Sequence, residues 1–382
     1  MEVKIVLGYT FGDEGKGVTV QWLCKKAIEE GKKPIVIRFS GGPQAAHTIN
    51  HNGIEHICSS FGSGVLLGVP TMLYDNTYID PISLVKEYDS LVSKGVEPKI
   101  MMSMFNKVIT PHDVLAGRSN EKVLKDGTCG MGLYPTFKRY QSKSRIQHTS
   151  MFLHYDNGPE TILDEALEFY EPDTMYYEEE FLTTCDRLKS IVKMKDATWA
   201  KDYDVLIFEG SQGLLLDMDC GFYPNVTPSR VGLNGIESQY LKDAEIYLVT
   251  RTYTTRHGNG YEPKYKLNID LSGKHETNVN NEYQGEFKVG ALETTTMNRA
   301  TERHRIDNYV SQFDCRLNLV VTHMDVVVDG GLFIYEQKYG LNTIAGNIKP
   351  SAVLEAITSH LDIPFDNVYY NDSIESNVKQ ML

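Results

Sequence analysis

Two short stretches concentrate side chains able to move protons and phosphoryl groups. In the first, Gly12-Asp13-Glu14-Gly15-Lys16-Gly17, a lysine and two carboxylates sit among glycines. Glycine lets backbone approach a ligand without Cβ interference, and Lys16 can neutralise phosphate oxygens. Asp13 and Glu14 would repel phosphate unless one accepts a substrate proton or holds a magnesium ion. In the second, Gly41-Gly42-Pro43-Gln44-Ala45-Ala46-His47-Thr48, an imidazole follows a glycine turn. The first loop also fits a glycine turn with solvated charges, and a lone histidine is more often a structural hydrogen-bonder than a group that meets Asp13 in chemistry. The first loop is neither an ordinary nucleotide P-loop nor a dinucleotide fingerprint. Gly17 follows Lys16 where Ser or Thr belongs, and Thr10 stands where the first glycine belongs.

Further along, Gly127-Thr128-Cys129-Gly130-Met131-Gly132 is a second glycine-rich, hydroxyl-bearing turn, followed by Lys138, Arg139, Lys143 and Arg145. That pairing suits a nucleoside monophosphate, and it also suits a surface loop with solvated cations. Gln212, between glycines in Glu209-Gly210-Ser211-Gln212-Gly213, could orient a polar substrate group or cap the next turn. Thr294-Thr295-Thr296 with Arg299, Arg303, His304 and Arg305 forms a dense cationic patch in an otherwise acidic chain, of the kind that clamps carboxylates.

Apolar runs must place these groups. Val3–Leu7, Pro34–Phe39, Asp204–Phe208, Ile246–Thr250 and Leu317–Val321 read as buried strands, each leading into one of the polar turns. Helical patterning resumes at Val18 and again at Asp80-Pro81, with Asp80 as N-cap. The stretch from Pro159 to Val192 is helical and acidic with an interruption at Pro172, and Ser351–Leu361 reads as an amphipathic helix before a last strand at Val368–Tyr370. The expectation is an α/β fold with a mostly parallel central sheet flanked by helices, a P-loop-like glycine loop after strand 1, and inserted helical subdomains in a single large domain over 1–382. In such sheets ligands collect beyond the carboxyl ends of the strands, so Asp13 and His47 are expected to face one crevice.

At 382 residues and 41% hydrophobic composition the chain can bury a large core. Its formal charge of −13 argues against an extended nucleic-acid surface. The six cysteines, dispersed without a Cys-x-x-Cys pair, suggest reduced thiols and a cytoplasmic setting. No run approaches the ~18 apolar residues of a membrane span, and no metal-ligand cluster is visible.

Taken in order, these motifs carry a resemblance. Gly12–Gly17, the Gly41-Gly42 to His47-Thr48 turn, Gly127-Thr128, Glu209–Gly213 with Leu215-Leu216-Asp217 and Tyr223-Pro224, Thr255-Arg256, and Thr322-x-x-Asp325 resemble the adenylosuccinate synthetase family over residues 3 to about 330. The resemblance implies a ligase, dimeric with a shared active site, that joins L-aspartate to the 6-oxo position of a purine nucleoside monophosphate through a 6-phosphoryl intermediate. It implies Asp13 as base and magnesium ligand, the carbonyl of Ala46 as a second metal ligand, and His47 and Lys16 as catalytic groups. Gly12, Glu14, Gly15, Gly17, Gln44, Thr128, Lys143, Gln212, Thr227, His323 and Asp325 are then nucleotide-binding, and Thr295, Arg303 and Arg305 hold aspartate. Departures from the family pattern fall at Gln44, where Asn is usual, at Ala46 for Gly, at Lys143 for Arg, and at His323 for Lys. His323 and the rewritten Tyr370-Asn371-Asp372-Ser373 segment lie in the guanine-reading part, which leaves GTP and ATP both open as donor. Shortened viral relatives act on dGMP and commonly carry a small residue in place of Asp13, so its presence favours IMP with GMP or dGMP as the alternative. A non-ligase phosphotransferase or a nucleotide-binding regulator would use the same loop without the aspartate clamp.

Overall fold

The computed structural model describes residues 1–119, 129–142, 156–170, 178–196, 198–267, 283, 285–344, 348–373 and 375–381. Its centre is a ten-stranded sheet. From one edge the strands run Lys379–Gln380, Asn367–Tyr370, Arg316–Thr322, Glu245–Arg251, Glu2–Gly8 (β1), Val205–Gly213, Pro34–Arg38 (β2), Thr71–Leu73, Ile100–Met102 and Val192–Met194. Every neighbouring pair is parallel except the first. The α/β expectation holds, and the sheet order explains the continuous apolar runs: a parallel strand is buried on both faces.

Alternation within the strands assigns the two faces. Ile5, Leu7, Leu206 and Phe208 pack with Met297, Ala300, Val353 and Leu354 from the helices Thr294–His304 and Pro350–Thr358. Val6, Val205 and Ile207 pack on the other side with Val20, Leu23, Cys24 and Ala27 of Lys16–Glu29 (α1). A third cluster joins Leu84, Leu91, Ile162, Phe181 and Leu188 of the helices Pro81–Ser93, Gly158–Tyr170 and Glu178–Ile191 beyond the short strands. Asp80 caps the first of these, its carboxylate accepting from Ile82 N at 3.0 Å. The expected break near Pro172 falls between the other two helices, outside the described residues. No disulfide joins the cysteines. Among the described residues no helix is long and apolar enough to cross a membrane.

Sequence reasoning passed over a hairpin, His47–His51 paired antiparallel with Ile54–Cys58. Its signal was present in Asn52-Gly53, both at positive φ, the pair favoured in tight hairpin turns.

Candidate active site

β1 ends at Gly8, and the chain crosses the carboxyl end of the sheet through residues 9–15 before α1 begins. The N-cap of α1 is Gly15 in the left-handed region, with no side-chain cap. The first-turn N–H groups are thereby left for an anionic ligand. Glu14 shapes the loop from within. Its Oε1 accepts from Thr10 N at 2.6 Å and Thr10 Oγ1 at 2.7 Å, and Oε2 accepts from Gly12 N at 3.2 Å. Its carboxylate is therefore a loop clamp, spent on the backbone and hydroxyl of Thr10 and the backbone of Gly12. Burial pushes this carboxyl up to about 7 against the charge of Lys16 and the loop hydrogen bonds. Burial also lowers Lys16, which is fully enclosed near Glu14, Asp13 and Glu209.

Neighbouring backbone reaches the loop at glycines. A Cβ on Gly213 would lie 2.2 Å from the carbonyl of Thr10, and one on Gly15 2.7 Å from Thr322. Thr322 Oγ1 lies 3.0 Å from the carbonyl of Glu14, Thr255 Oγ1 reaches that of Gly12 at 3.3 Å, and Arg251 Nε donates to that of Asp13. The backbone of Asp13 is thus fixed, at φ 56, by partners on three other segments. Its half-buried carboxylate makes no hydrogen bond among the described residues. Arg256, nine-tenths buried beside the Phe11 ring, is lowered to about 10 by burial against the pull of Asp13.

The second turn follows β2. Arg38, its last residue, is buried and donates to the carbonyls of Phe61 at 3.1 Å and Ala45 at 2.8 Å. This leaves the carbonyl of Ala46, beside it, with no hydrogen bond among the described residues. A Cβ on Gly17 would stand 2.9 Å from the Cβ of His47, so the two turns touch. His47 Nδ1 lies 2.6 Å from Glu209 Oε1, and Nε2 is buried without a partner among the described residues. Burial pushes Glu209 upward, but the hydrogen bond and charge of a protonated His47, the charge of Arg38 and the Ser63 hydroxyl outweigh it and bring the carboxyl to about 2. Burial keeps His47 below its ordinary value despite Glu209. The pair is thus a carboxylate facing a neutral imidazole whose proton is on Nδ1, because an ionised carboxylate only accepts.

Between these turns lies the end of the Val205–Gly213 strand. From Val6 to Gly8, two steps on β1 face four from Glu209 to Gly213, so the longer strand bulges. The bulge carries Ser211, which bonds Ser40, and half-buried Gln212, whose side chain makes no hydrogen bond among the described residues. Gln44 likewise has both carboxamide atoms buried and unpartnered among the described residues. Buried polar atoms are ordinarily satisfied, so the Gln44 carboxamide points to a ligand. Thr227 lies buried on the loop after the bulge, its N–H on the carbonyl of Leu216 at 2.8 Å.

The remaining expected residues are only partly assembled. Thr295 Oγ1 accepts from Gln337 N at 2.9 Å, and exposed Arg303 donates to the carbonyl of Cys220 at 2.6 Å while lying over Phe222. Phe222 packs on Phe11 of the glycine loop, which puts Arg303 at the rim of the crevice. Arg305 is an exposed left-handed junction between two helices. His323 caps the helix Met324–Gly330, its Nδ1 2.9 Å from Thr322 Oγ1 and its ring edge-on to Tyr253, and Asp325 follows in the first turn. Burial, with Arg251 nearby, holds His323 well below its ordinary value. Thr128 and Lys143 lie outside the described residues.

Sequence reasoning assigned no role to Glu209, Arg38, Ser63 or Arg251. The signal for the first two was a charge at the end of an otherwise apolar strand, in Ile35-Val36-Ile37-Arg38 and Leu206-Ile207-Phe208-Glu209. Two groupings of metal-binding residue types, His56-Cys58-Glu87 and Asp217-Cys220-His304, also occur among the described residues. Their carboxylates are already taken by backbone N–H groups, Glu87 by Ser59, Ser60 and Phe61, and Asp217 by Asp219, Cys220 and Val231.

A parallel sheet with a glycine loop, a buried lysine, a carboxylate and an oriented imidazole at its carboxyl edge defines a nucleotide-dependent enzyme that couples phosphoryl and proton transfer. The family described as adenylosuccinate synthetase matches residues 5–326. The chain belongs to that family and is a ligase of purine nucleotide synthesis. It is 31% identical over 304 residues to the adenylosuccinate synthetase of Psychrobacter arcticus, covering 73% of this chain and 68% of the relative. With that of Mesoplasma florum it shares 28% over 370 residues, 88% of this chain and 80% of the relative. The fold matches the fully ligated adenylosuccinate synthetase from Plasmodium falciparum with TM-score 0.76 at 20% identity over all of both chains. It also matches, with TM-score 0.62 at 14% identity over 99% and 95%, a cyanophage S-2L succinoaminodeoxyadenylate synthetase bound to dGMP and dATP.

Proposed function

We propose that this ligase condenses L-aspartate with the 6-oxo group of IMP, driven by a nucleoside triphosphate, to give adenylosuccinate. A lactam oxygen is a poor leaving group, so it is first phosphorylated, and loss of the N1 proton makes O6 nucleophilic. Asp13, with its backbone clamped and its carboxylate free of protein partners among the described residues, takes that proton. His47 serves O6 and the phosphoryl oxygens through Nε2, with Glu209 stabilising positive charge on the ring. Lys16 and the α1 N-terminus receive the phosphoryl charge. The aspartate amine then displaces phosphate from C6, with Thr295, Arg303 and Arg305 holding its carboxylates once they close from the rim. Gln212 and Gln44 contact the nucleotide, Thr128, Thr227 and Lys143 its phosphate, Lys143 across a homodimer.

The Asp13 carboxylate and Ala46 carbonyl are oxygen donors of the kind magnesium takes, and bound there the ion would neutralise phosphate oxygens. The observation that carries the reading is the unpartnered His47 Nε2 on a turn that touches the glycine loop. It is tested with IMP, GMP and dGMP against GTP and ATP, with aspartate and magnesium, read by phosphate release and product mass. Release independent of aspartate in every combination would exclude the ligase reaction. GTP is the donor expected of the family. The ring of His323, held by Thr322 and Tyr253 instead of extending as a lysine would, favours ATP and gives a second reading in which dGMP or GMP is joined to aspartate.

A further inference from the structure

His47 is held by a carboxylate with two further anchors of its own. Glu209 is fully buried on the strand between β1 and β2. Its Oε2 accepts from Ser63 N at 3.0 Å, and its Oε1 is shared by His47 Nδ1 and the Ser63 hydroxyl. Arg38 is its register partner on β2 and ties down both flanking loops through the carbonyls of Phe61 and Ala45. On the far side, Gly17 lies against the Cβ of His47, where a side chain would not fit without a shift.

We infer that Glu209 is a positioning residue for the reaction: its carboxylate, anchored by the backbone N–H and hydroxyl of Ser63, fixes His47 with the proton on Nδ1 and turns Nε2 toward the reacting base. The inference rests on the reaction proposed above. A buried imidazole nitrogen left without a partner costs on the order of 1–3 kcal/mol, which a ligand at that nitrogen would recover. Here one nitrogen is bonded and the other is enclosed and unpartnered among the described residues, an arrangement that becomes favourable when a ligand supplies the missing partner. Neutral imidazole exchanges its proton between the two nitrogens; with Nδ1–H held by Glu209, Nε2 faces inward with its lone pair free to take up a second proton from solvent, and the imidazolium so formed donates Nε2–H to the phosphoryl oxygens. The ionised Glu209 selects the Nδ1–H form.

The test compares the parent with Glu209→Gln and Ser63→Ala in aspartate-dependent phosphate release, and reads the His47 tautomer from ring ¹⁵N resonances, assigned with His47→Asn. Glu209→Gln is expected to lower kcat about 10²–10³-fold, to leave KM for the nucleoside monophosphate within about two-fold, and to mix the tautomers. Ser63→Ala, which keeps the carboxylate, is expected to lower kcat in the same direction by about ten-fold or less. Parent-like kcat in Glu209→Gln, or a loss of kcat with the tautomer unchanged, would overturn the inference. Should Glu209→Gln fail to fold, parent-like kcat and ring signals in Ser63→Ala would do so. A parent that releases no phosphate with aspartate refutes the reaction, while the ring resonances still decide whether Glu209 sets the tautomer.

Discussion

Asp13 and His47 differ in how they are held, and the difference matches their tasks. Asp13 is fixed through its backbone, by Arg251 on its carbonyl and a left-handed φ, which leaves the carboxylate available to a substrate proton or a metal. His47 is fixed through its side chain by Glu209. Asp13→Asn keeps the shape but cannot accept the N1 proton, so turnover should fall at least about 10³-fold while nucleotide affinity stays within about ten-fold. Phosphate release and equilibrium titration with nucleotide check this, and parent-like turnover would remove Asp13 from the chemistry. Both residues were singled out in the sequence because each carries an ionisable group on a glycine turn that follows an apolar strand. Glu209 was not, because a carboxylate after Phe208 reads equally as the solvated end of a strand. Only the pairing of Val205–Gly213 between β1 and β2 shows that it is enclosed. The clamp made by Glu14 was not legible either: a carboxylate beside a phosphate loop gives no local sign that it folds back onto Thr10 and Gly12.

Between these residues the elements meet at glycines, each tolerating a contact that a methyl group would prevent. Gly17 in the first turn of α1 is the most informative, because its φ is ordinary and only space forbids a side chain. In Gly17→Ala the new Cβ would sit 2.9 Å from the His47 Cβ and 3.2 Å from Ser63 Oγ. Helix propensity favours alanine over glycine by up to ~1 kcal/mol and offsets part of an overpacking cost of about 1–3 kcal/mol, so thermal stability should fall modestly, whereas kcat should drop about ten-fold or more as His47 shifts. Stability and kcat measured on one preparation separate the two effects, and an unchanged kcat would show that the turns are not tightly coupled. The strands, the Asp80 cap and the interrupted acidic helices followed from apolar runs and capping residues, which are local signals. The sheet order did not, because it depends on pairings such as Arg316–Thr322 beside Glu245–Arg251 that lie far apart in the chain. The charge cluster around Arg303 and Arg305 was legible, but the place of Arg303 was not, because it depends on contacts with Phe222 and Cys220, distant in the chain.

Across the whole molecule, a chain of net charge −13 encloses a site rich in buried charge of both signs: Lys16, Arg38 and Arg256 facing Glu14 and Glu209. The two buried carboxylates bias stability in opposite directions with pH. Glu209 lies below its ordinary value in the folded state, so its contribution is present above about 4.5 and lost as pH falls through about 2. Glu14 is raised by burial, so its contribution is complete below about 4.5 and is lost as pH rises through about 7. In the range between those values the folded state holds the Glu14 proton more tightly than the unfolded chain does, and Glu14 therefore makes stability decline with rising pH. Glu14→Gln removes the titration, so the melting temperature of the nucleotide-free variant, followed from pH 4.5 to 7, should fall less than that of the parent. Parallel curves would show that Lys16 and the Thr10 and Gly12 donors already keep Glu14 ionised, and the loop would then carry its charge before any nucleotide arrives.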